Sequence, residues 1–397
     1  MNPEEVQEAE NDLLVPTYKR PSPVFVHGEG VFLFDSTGKK YLDFASGIAV
    51  TALGHSDSEW ISAVVDQAQK LTHVSNLFHT IPHVELAQRL VASSFADRVF
   101  FSNSGTEANE AAFKFARKWG RMKHGAEKTD IIAFTNGFHG RTYGALSLTH
   151  KSKYREPFLP LVAGVTFVPF NDLDAVHRAV TSRTCAVIVE PIQGEGGVHP
   201  ASTTFLQGLR SLCNEQEVLL ILDEIQCGLG RTGYLWAHEA YGITPDIMTL
   251  AKPLAGGLPI GATLVTEGVS NLIEVGDHGC TFGAGPLVCR AAQVVFDRVS
   301  QPSFLEAVRS NAESLIQALQ SLPTHHIGEV RSAGLLVGIE FDVPVQPLLQ
   351  SAMERGLIVI SAGENVLRIC PPLIISPVQL ANGVEILREC LPGLETQ

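Results

Sequence analysis

The sequence has no hydrophobic run long enough to cross a membrane as a helix. Residues 369–384, the longest stretch without Asp, Glu, Lys or Arg, fall short of the roughly 18 residues that a bilayer requires, and Pro371, Pro372 and Pro377 interrupt them. Basic residues are also few, since 29 Lys and Arg stand against 42 Asp and Glu, a net charge of −13. Because nucleic acids and anionic membranes attract basic proteins, we expect neither as a partner.

The seven cysteines lack the spacing of a disulfide framework or a zinc ribbon, because their number is odd and none forms a Cys-x-x-Cys pair. This pattern is typical of reduced thiols in a cytosol-like compartment. The acidic N-terminus, MNPEEVQEAENDLL, has neither the apolar core of a signal peptide nor the Arg and Ser content of a transit peptide. We therefore expect a cytoplasmic protein, or an organellar one if a targeting peptide preceded Met1.

Short apolar runs alternate with helical patterns through the middle of the chain. The 397 residues, 45% of them apolar, suffice for about two or three domains. The seven β-rich runs are VFF (99–101), IIAF (131–134), VTFV (165–168), CAVIVE (185–190), VLLIL (218–222), IMTLA (247–251) and ATLV (262–265). Such an alternation predicts an α/β fold with a mostly parallel seven-stranded sheet, covered by helices on both faces. Ligands of these sheets bind at the carboxyl ends of the strands.

The two chain ends differ from this central region. Strand-like pieces broken by glycines occupy residues 1–50. A helical pattern over residues 303–320 is followed by further strand patterns and by the Pro-rich segment ICPPLIISP. We therefore predict a large α/β domain over residues 51–300, and a smaller α+β domain that combines residues 1–50 with residues 301–397.

Lys252 is the first candidate for chemistry. It is the only one of eleven lysines beyond residue 153, and it follows an apolar run with no acidic residue within five positions. A desolvated lysine loses its proton readily and becomes a nucleophile that forms a Schiff base with a carbonyl. The alternative is a surface lysine whose stem packs on apolar neighbours. The apolar residues that flank Lys252 favour the two interpretations about equally.

Two other features could bind a charged cofactor. Ser104, Gly105 and Thr106 stand at the predicted start of a helix. Free backbone N–H groups and the helix dipole can hold a phosphate there, although an ordinary N-cap is the commoner meaning of such residues. Asp223 directly follows five apolar residues, so its carboxylate needs a partner. It could keep a pyridinium nitrogen protonated, or it could simply cap the following turn.

The segment GLGRTG (228–233) matches the G-x-G-x-x-G dinucleotide pattern and makes a nicotinamide-dependent oxidoreductase the alternative from a different class. The acidic residue that such a site needs should follow the next strand, but the nearest one, Asp246, precedes it. His79 and His83 have the spacing of metal ligands on a helix, yet Pro82 between them weakens a helix there. We expect no metal site.

Six segments occur in the order SGTEA, GFHGRT, EPIQGEGG, DEIQ, AKPLAGGLPIGA and HGCTFG. Together they resemble the class III pyridoxal-phosphate aminotransferases, and the resemblance extends from GIAVTALGH (47–55) to LRICPPL (367–373). The segments FFSNSGTEANEAAFKFARK and GFHGRTYGALSLT look most like those of the acetylornithine aminotransferase branch. A non-catalytic relative with the same fold is the third hypothesis, but the intact Lys252, Asp223 and candidate arginines oppose it.

The resemblance implies a homodimer of fold type I with pyridoxal 5'-phosphate in active sites shared between subunits. Lys252 would carry the cofactor and act as general base and acid in the proton shift. The other implied cofactor contacts are Gly105 and Thr106 on the phosphate, Phe138 on the ring face, Asp223 on the ring nitrogen, Gln226 on the ring hydroxyl, and Thr281 on the phosphate of the neighbouring subunit.

The implied reaction moves the δ-amino group of N2-acetyl-L-ornithine to 2-oxoglutarate, which gives N-acetyl-L-glutamate 5-semialdehyde and L-glutamate, a step of arginine biosynthesis. Ornithine, succinylornithine and 4-aminobutyrate remain alternative donors. Arg141 would bind the α-carboxylate of the donor and Arg368 that of glutamate or 2-oxoglutarate. Glu195 would neutralise Arg368 while the donor is bound, although it could merely occupy the tip of a Gly-rich turn.

The sequence departs from the usual family pattern near the substrate. Cys280 stands where Ser or Thr is common, so any hydrogen bond from its side chain to the substrate would be weak. Gly285 stands where Asn is frequent. Tyr18 lies about where related enzymes place a tyrosine that contacts the substrate.

Overall fold

Helices alternate with short strands through the middle of the chain in the computed structural model, which describes residues 1–393. The last four residues of the predicted small domain, 394–397, lie outside the described residues. The helices are α1 (Pro3–Leu13), α2 (Ser46–Ala49), α3 (Ser58–Lys70), α4 (Ile81–Ala92), α5 (Gly105–His124), α6 (Tyr143–Leu148), α7 (Ser152–Arg155), α8 (Leu173–Ala179), α9 (Thr203–Glu215), α10 (Glu267–Ser270), α11 (Pro286–Val299), α12 (Pro302–Gln320), α13 (Gln346–Glu354) and α14 (Pro377–Cys390). Short 3₁₀ turns cover Glu156–Phe158, Ala237–Tyr241 and Leu391–Gly393.

The strands are β1 (Phe25–Glu29), β2 (Phe32–Asp35), β3 (Lys40–Asp43), β4 (Arg98–Ser102), β5 (Asp130–Phe134), β6 (Val165–Val168), β7 (Thr184–Val189), β8 (Ile192–Gln193), β9 (His199–Pro200), β10 (Leu219–Asp223), β11 (Ile247–Leu250), β12 (Gly261–Val265), β13 (Ile327–Ala333), β14 (Leu336–Phe341), β15 (Leu357–Ile358), β16 (Ile360–Ser361) and β17 (Val366–Ile369). Among residues 1–393, the helices do not include one with the length and apolarity that a membrane crossing needs.

The central sheet contains all seven predicted apolar runs, in the order β4-β12-β11-β10-β7-β5-β6. Strand β12 runs antiparallel to both of its neighbours, and the other pairs in the sheet are parallel. The predicted mostly parallel seven-stranded α/β sheet is therefore confirmed. The antiparallel strand directly follows β11 through the loop that begins at Lys252.

Successive residues of the central strands pack on opposite faces of this sheet. Ile131 and Ala133 of β5 contact the layer of α5, whereas Ile132 and Phe134 contact the layer of α8 and α9. Burial on both faces explains why these strands read as continuous apolar runs. Polar residues therefore occur at the ends of these strands, where the candidate functional site lies.

The chain ends build two smaller sheets. Strands β1, β2 and β3 join β15, a pairing of the N-terminal and C-terminal regions, and the second sheet has the order β13-β14-β17-β16. Arg368 lies on β17 between two partners, since it pairs with Gly338 of β14 and with Ile360 of β16. The division into domains at residues 50 and 300 stays a prediction.

Candidate functional site

Three neighbouring strands of the central sheet end at one edge with a charged residue. Glu190 follows β7, Asp223 ends β10, and Lys252 follows β11. Strands β7, β10 and β11 are adjacent and parallel, so their carboxyl ends lie side by side. The candidate residues therefore meet at the edge of the sheet where ligands of α/β proteins bind.

Buried side chains hold the Asp223 carboxylate in place. Its Oδ2 accepts a hydrogen bond from Asn109 Nδ2 at 2.7 Å and lies 2.7 Å from His139 Nδ1. Burial alone would lower the pKa of His139, but the hydrogen bond and the charge of Asp223 raise it above its usual value. Oδ1 also accepts from the Ile225 N–H at 3.1 Å, so the turn-capping interpretation holds as well. Asn109 and His139 were not predicted as site residues, although they lie inside the motifs FFSNSGTEANEAAFKFARK and GFHGRT.

The start of helix α5 lies close to the loop that follows Asp223. Ser104 is the N-cap and accepts from the Glu107 N–H, so the preceding N–H groups, those of Gly105 and Thr106, remain available to an anion. A Cβ atom on Gly105 would stand 2.8 Å from Ile225, which explains the glycine. Thr106 Oγ1 lies 2.8 Å from Thr142 Oγ1. This corner provides hydroxyl and amide donors for a phosphate.

Lys252 makes no hydrogen bond or ion pair with any described residue, and its side chain is partly accessible. Desolvation by the surrounding protein lowers its pKa, and the charge of Glu195 opposes this effect while that of Arg368 adds to it. An amine in these surroundings is unprotonated more often than a surface lysine, which makes it a better nucleophile and base.

Arg368 and Glu195 form an ion pair beside Lys252. Arg368 Nη1 lies 2.6 Å from Glu195 Oε1 and donates to Gln226 Oε1 at 3.1 Å. Burial opposes ionisation of Glu195, but Arg368 lowers the pKa of this carboxyl below its usual value. The arginine side chain is only 3% exposed whereas that of the glutamate is 30% exposed, so Glu195 is the partner with room to move.

Phe138 and a second arginine, Arg141, both contact the ring of Tyr154. Phe138 is half-buried, and the ring of Tyr154 meets it edge-on at 6.3 Å. The Arg141 guanidinium lies 3.6 Å from the centre of the Tyr154 ring and is exposed. A guanidinium that is stacked but not paired with a carboxylate remains available to bind one from a substrate.

Glu190 is a buried carboxyl that the sequence analysis missed. Its Oε1 accepts from the Phe138 N–H at 2.9 Å and its Oε2 from the Gly194 N–H at 3.1 Å. Burial raises the pKa of Glu190 to about 7. The signal that singled out Asp223, an acid directly after an apolar strand, is equally present at Glu190 and could have found it.

Thr281 is exposed, and within residues 1–393 it makes no hydrogen bond to the start of α5. Its neighbour Cys280 accepts at Sγ from Asn103 Nδ2 at 3.0 Å. Tyr18 makes none of these contacts within residues 1–393 either: it is 76% exposed, and its ring contact there is with Arg20. Among the residues that the structure describes, Thr281 and Tyr18 therefore lie outside the hydrogen-bonded contacts of Asp223, Glu195 and Arg368.

Two other motifs lie outside the site. His79 precedes α4, and His83 packs its ring against Phe101 at 5.1 Å. The segment GLGRTG lies in turns after β10, where Cβ atoms on Gly230 and Gly233 would clash with α11 and α12. These glycines allow α11 and α12 to pack closely against the segment. The GLGRTG motif was the basis of the oxidoreductase alternative, and its glycines serve helix packing here.

The remaining residues fit pyridoxal phosphate in kind. The start of α5 offers donors for a phosphate, Asp223 an oriented carboxylate for a ring nitrogen, and Lys252 an unpaired amine for an aldehyde. Gln226 stands between Asp223 and Arg368, and a Cβ atom on Gly194 would collide with its side chain. The glycine is therefore required where the Glu195 segment approaches Gln226.

Comparisons with known proteins give similarities of sequence and of fold. The family model described as "Aminotransferase class-III" matches residues 16–391. The chain is 55% identical to the mitochondrial acetylornithine aminotransferase of Alnus glutinosa, over 98% of this chain and 88% of that protein. The N-acetylornithine aminotransferase structure from Stenotrophomonas maltophilia is 36% identical, with a TM-score of 0.85, and covers 98% of this chain and 99% of its own. A Toxoplasma gondii ornithine aminotransferase structure, titled as having partial occupancy of PLP, is 28% identical, with a TM-score of 0.96 over 100% of this chain and 95% of its own.

Proposed function

The chain belongs to the class-III aminotransferases, and from this premise we propose that it transfers the δ-amino group of N2-acetyl-L-ornithine to 2-oxoglutarate. The products are N-acetyl-L-glutamate 5-semialdehyde and L-glutamate, and the reaction is a step of arginine biosynthesis. The observation that carries the proposal is the Glu195–Arg368 ion pair beside the unpaired Lys252. The relatives from Alnus glutinosa and Stenotrophomonas maltophilia are named as acetylornithine aminotransferases, which supports the choice of donor.

The cofactor is pyridoxal 5'-phosphate, which supplies an aldehyde that joins amines and a ring that accepts electrons. Gly105 and Thr106 would hold its phosphate at the start of α5. Asp223, oriented by Asn109 and His139, would keep a proton on the ring nitrogen. Phe138 would cover the ring face, and Gln226 would donate to the ring hydroxyl because its Oε1 already accepts from Arg368.

Lys252 moves the proton in this proposal. Its Nζ is desolvated and unpaired, so it can take a proton from the carbon bonded to the reacting nitrogen and return it to the carbon on the other side of that nitrogen. The carboxylate of Glu195 is a negative charge close enough to stabilise the transient ammonium. Desolvation lowers the pKa of Lys252, so its amine is ready to accept a proton. The nearby negative charge of Glu195 acts in the opposite direction and stabilises the ammonium while the proton is held.

Two arginines would distinguish the two substrates. The δ-carbon of acetylornithine carries no carboxylate, so Arg368 would face an apolar chain unpaired unless Glu195 neutralised it. Glutamate and 2-oxoglutarate do carry a carboxylate at the reacting carbon, and it would displace Glu195 from Arg368. Arg141 would hold the distant α-carboxylate of acetylornithine.

We infer a homodimer with shared active sites. The exposed Thr281 is proposed as a phosphate contact for a neighbouring subunit, because among the described residues of its own chain it makes no hydrogen bond to the start of α5. Beside this loop stands an exposed apolar patch that consists of Leu77, Phe78, Ile81 and Phe282. Patches of this kind mark protein–protein contacts, and a second copy of the chain is the partner that a shared site requires.

The compartment of the reaction is proposed to be reducing. All seven cysteines are free thiols, and six of them are buried. The word "mitochondrial" in the printed name of the Alnus glutinosa relative supports an organelle of that kind, and a cytoplasmic location is the alternative that localisation of the full-length protein in cells would test.

A panel of amine donors tests the reaction. We expect the kcat/KM for N2-acetylornithine, with 2-oxoglutarate as acceptor, to exceed those for ornithine, succinylornithine and 4-aminobutyrate by about tenfold or more. The Lys252→Ala variant is the negative control. It should fold, but it should lose turnover and the visible cofactor absorbance that borohydride alters. Equal or faster turnover of free ornithine would refute the choice of donor, and normal turnover by Lys252→Ala would refute the mechanism.

A further inference from the structure

The GLGRTG segment contains a buried arginine that the reaction described above does not use. Arg231 is 1% exposed, and it is one of the largest fully buried side chains of the described chain. Burial lowers its pKa to about 10, so the guanidinium is still charged at neutral pH. Within residues 1–393 its Nη2 has no hydrogen-bond partner. A buried charge without a carboxylate in contact is costly, so its position needs an explanation.

Arg231 binds main-chain carbonyls that frame Arg368. Its Nη1 donates to Pro371 O at 2.6 Å and to Leu335 O at 3.1 Å. Pro371 follows β17, the strand that carries Arg368, and Leu335 immediately precedes β14, the strand that pairs with β17. The main chain joins them as well, because the Leu335 N–H donates to Arg231 O at 3.0 Å. One side chain thus links the loop after β10 to both strands.

The same loop also contacts Arg368 directly. Gln226, five residues before Arg231, accepts from Arg368 Nη1. A Cβ atom on Gly334 would stand only 2.5 Å from Arg231 O, so the turn between β13 and β14 lies tightly against the loop. The position of Arg368 relative to Gln226 therefore depends on how firmly Arg231 holds β14 and β17.

We propose that Arg231 is a positioning residue that fixes Arg368 for recognition of the carboxylate next to the reacting carbon of glutamate or 2-oxoglutarate. The inference rests on the proposed function, since it assumes that Arg368 binds this carboxylate. A rigid guanidinium suits the task because the two N–H bonds of its Nη1 are fixed in one plane toward the two carbonyls, an orientation that a lysine ammonium on a flexible stem does not hold. Small displacements of a binding group cost large factors in rate and affinity.

The test is Arg231→Lys in the cofactor-loaded enzyme, with each substrate varied separately. We expect the KM for 2-oxoglutarate to rise about tenfold or more, with the KM for acetylornithine changed by less than about twofold. The thermal stabilisation by 2-oxoglutarate should shrink in parallel, while the visible cofactor absorbance stays. The control Arg309→Lys alters an arginine that binds Gly233 O in the same segment but not β17, and should leave both KM values unchanged.

Gly334→Ala disturbs the contact between Arg231 and the turn that joins β13 to β14, because the added Cβ atom would stand 2.5 Å from Arg231 O. This variant tests the positioning role if Arg231→Lys does not fold. It should also raise the KM for 2-oxoglutarate selectively. Equal losses with both substrates in a folded variant, or no change, would overturn the positioning role. If the wild-type enzyme itself fails to use acetylornithine with 2-oxoglutarate, the proposed function fails instead, so the two failures are distinguishable.

Discussion

Glu190 and Asp223 have the same setting in sequence but different surroundings in the fold. Each acid follows a buried apolar strand. Asp223 contacts the side chains of Asn109 and His139, whereas the partners of Glu190 among residues 1–393 are the main-chain N–H groups of Phe138 and Gly194. Without a cation in contact, burial dominates at Glu190 and raises its pKa to about 7, with the charge of His139 opposing the rise and that of Asp223 adding to it.

The raised pKa of Glu190 predicts a pH-dependent stability. Between its usual value of 4.5 and about 7, the folded state keeps the proton that the unfolded state has lost, so stability falls as the pH rises. Relative to Glu190→Gln, the free energy of unfolding of the wild-type protein should decrease by at most about 1.4 kcal/mol per pH unit in this window. Denaturant unfolding at several pH values measures it.

The control for this experiment is Glu313→Gln, an exposed position on α12. Its difference from the wild-type protein should not depend on pH. The expectation fails if the difference between wild type and Glu190→Gln is the same at pH 5 and at pH 7.5, because Glu190 would then not titrate in this window.

At the scale of the elements, helix α5 joins both halves of the cofactor site. Its first turn offers Gly105 and Thr106, and its second turn holds Asn109 against Asp223 and Thr249. The buried Ala112, Phe115 and Ala116 pack the same helix on the sheet. A shift of α5 would therefore change the phosphate corner and the orientation of Asp223 together.

Gly105→Ala should weaken cofactor binding about tenfold, which corresponds to about 1.4 kcal/mol. The added methyl group would meet Ile225 at 2.8 Å and separate the helix start from the loop after Asp223. Titration of the apoprotein with pyridoxal phosphate measures the Kd.

The matched control for this substitution is Gly268→Ala in α10, where a Cβ atom meets nothing within 4 Å. Its Kd should equal that of the wild-type protein. An unchanged Kd for Gly105→Ala would mean that the helix start and the loop after Asp223 need not lie this close to bind the cofactor.

At the scale of the whole molecule, the proposed homodimer would complete the predicted site, because Thr281 is exposed and, among residues 1–393, makes no hydrogen bond to the start of α5. Asn76 Nδ2 donates to Cys280 O at 2.9 Å and to Gly283 O at 3.2 Å, which ties the apolar patch to the loop of Thr281. The patch and the loop therefore form one continuous surface. A second copy that covered the patch would also receive Thr281.

Leu77→Glu, at a position 84% exposed, should convert the proposed dimer to a monomer and weaken cofactor binding at least tenfold, because each proposed shared site would lose the partner's Thr281 and the burial of the patch. Sedimentation and cofactor titration measure the two effects. Val378→Glu, on α14 and 69% exposed, should change neither. A Leu77→Glu protein that remained dimeric with full cofactor affinity would contradict the shared site.

The sequence alone was sufficient for those parts of the protein that depend on local patterns. Apolar runs predicted the seven strands, and an N-cap residue predicted the helix that begins after Ser104. The apolar run before Asp223 indicated a buried acid at the end of β10. Each of these signals can be recognised in neighbouring residues of the sequence. The ordered motifs were sufficient for the family. These features depend on neighbouring residues, whose influence does not require the fold to be known.

Only the tertiary structure decided which distant groups meet. The pair of Glu195 with Arg368, which the resemblance led us to expect, joins residues 173 positions apart, and the hold of Arg231 on Pro371 spans 140 positions. The interpretation of Lys252 was evenly balanced in the sequence, and it changed only when burial and nearby charges were known. Desolvation and long-range contact are properties of the packed chain, because they depend on atoms that no local pattern brings together.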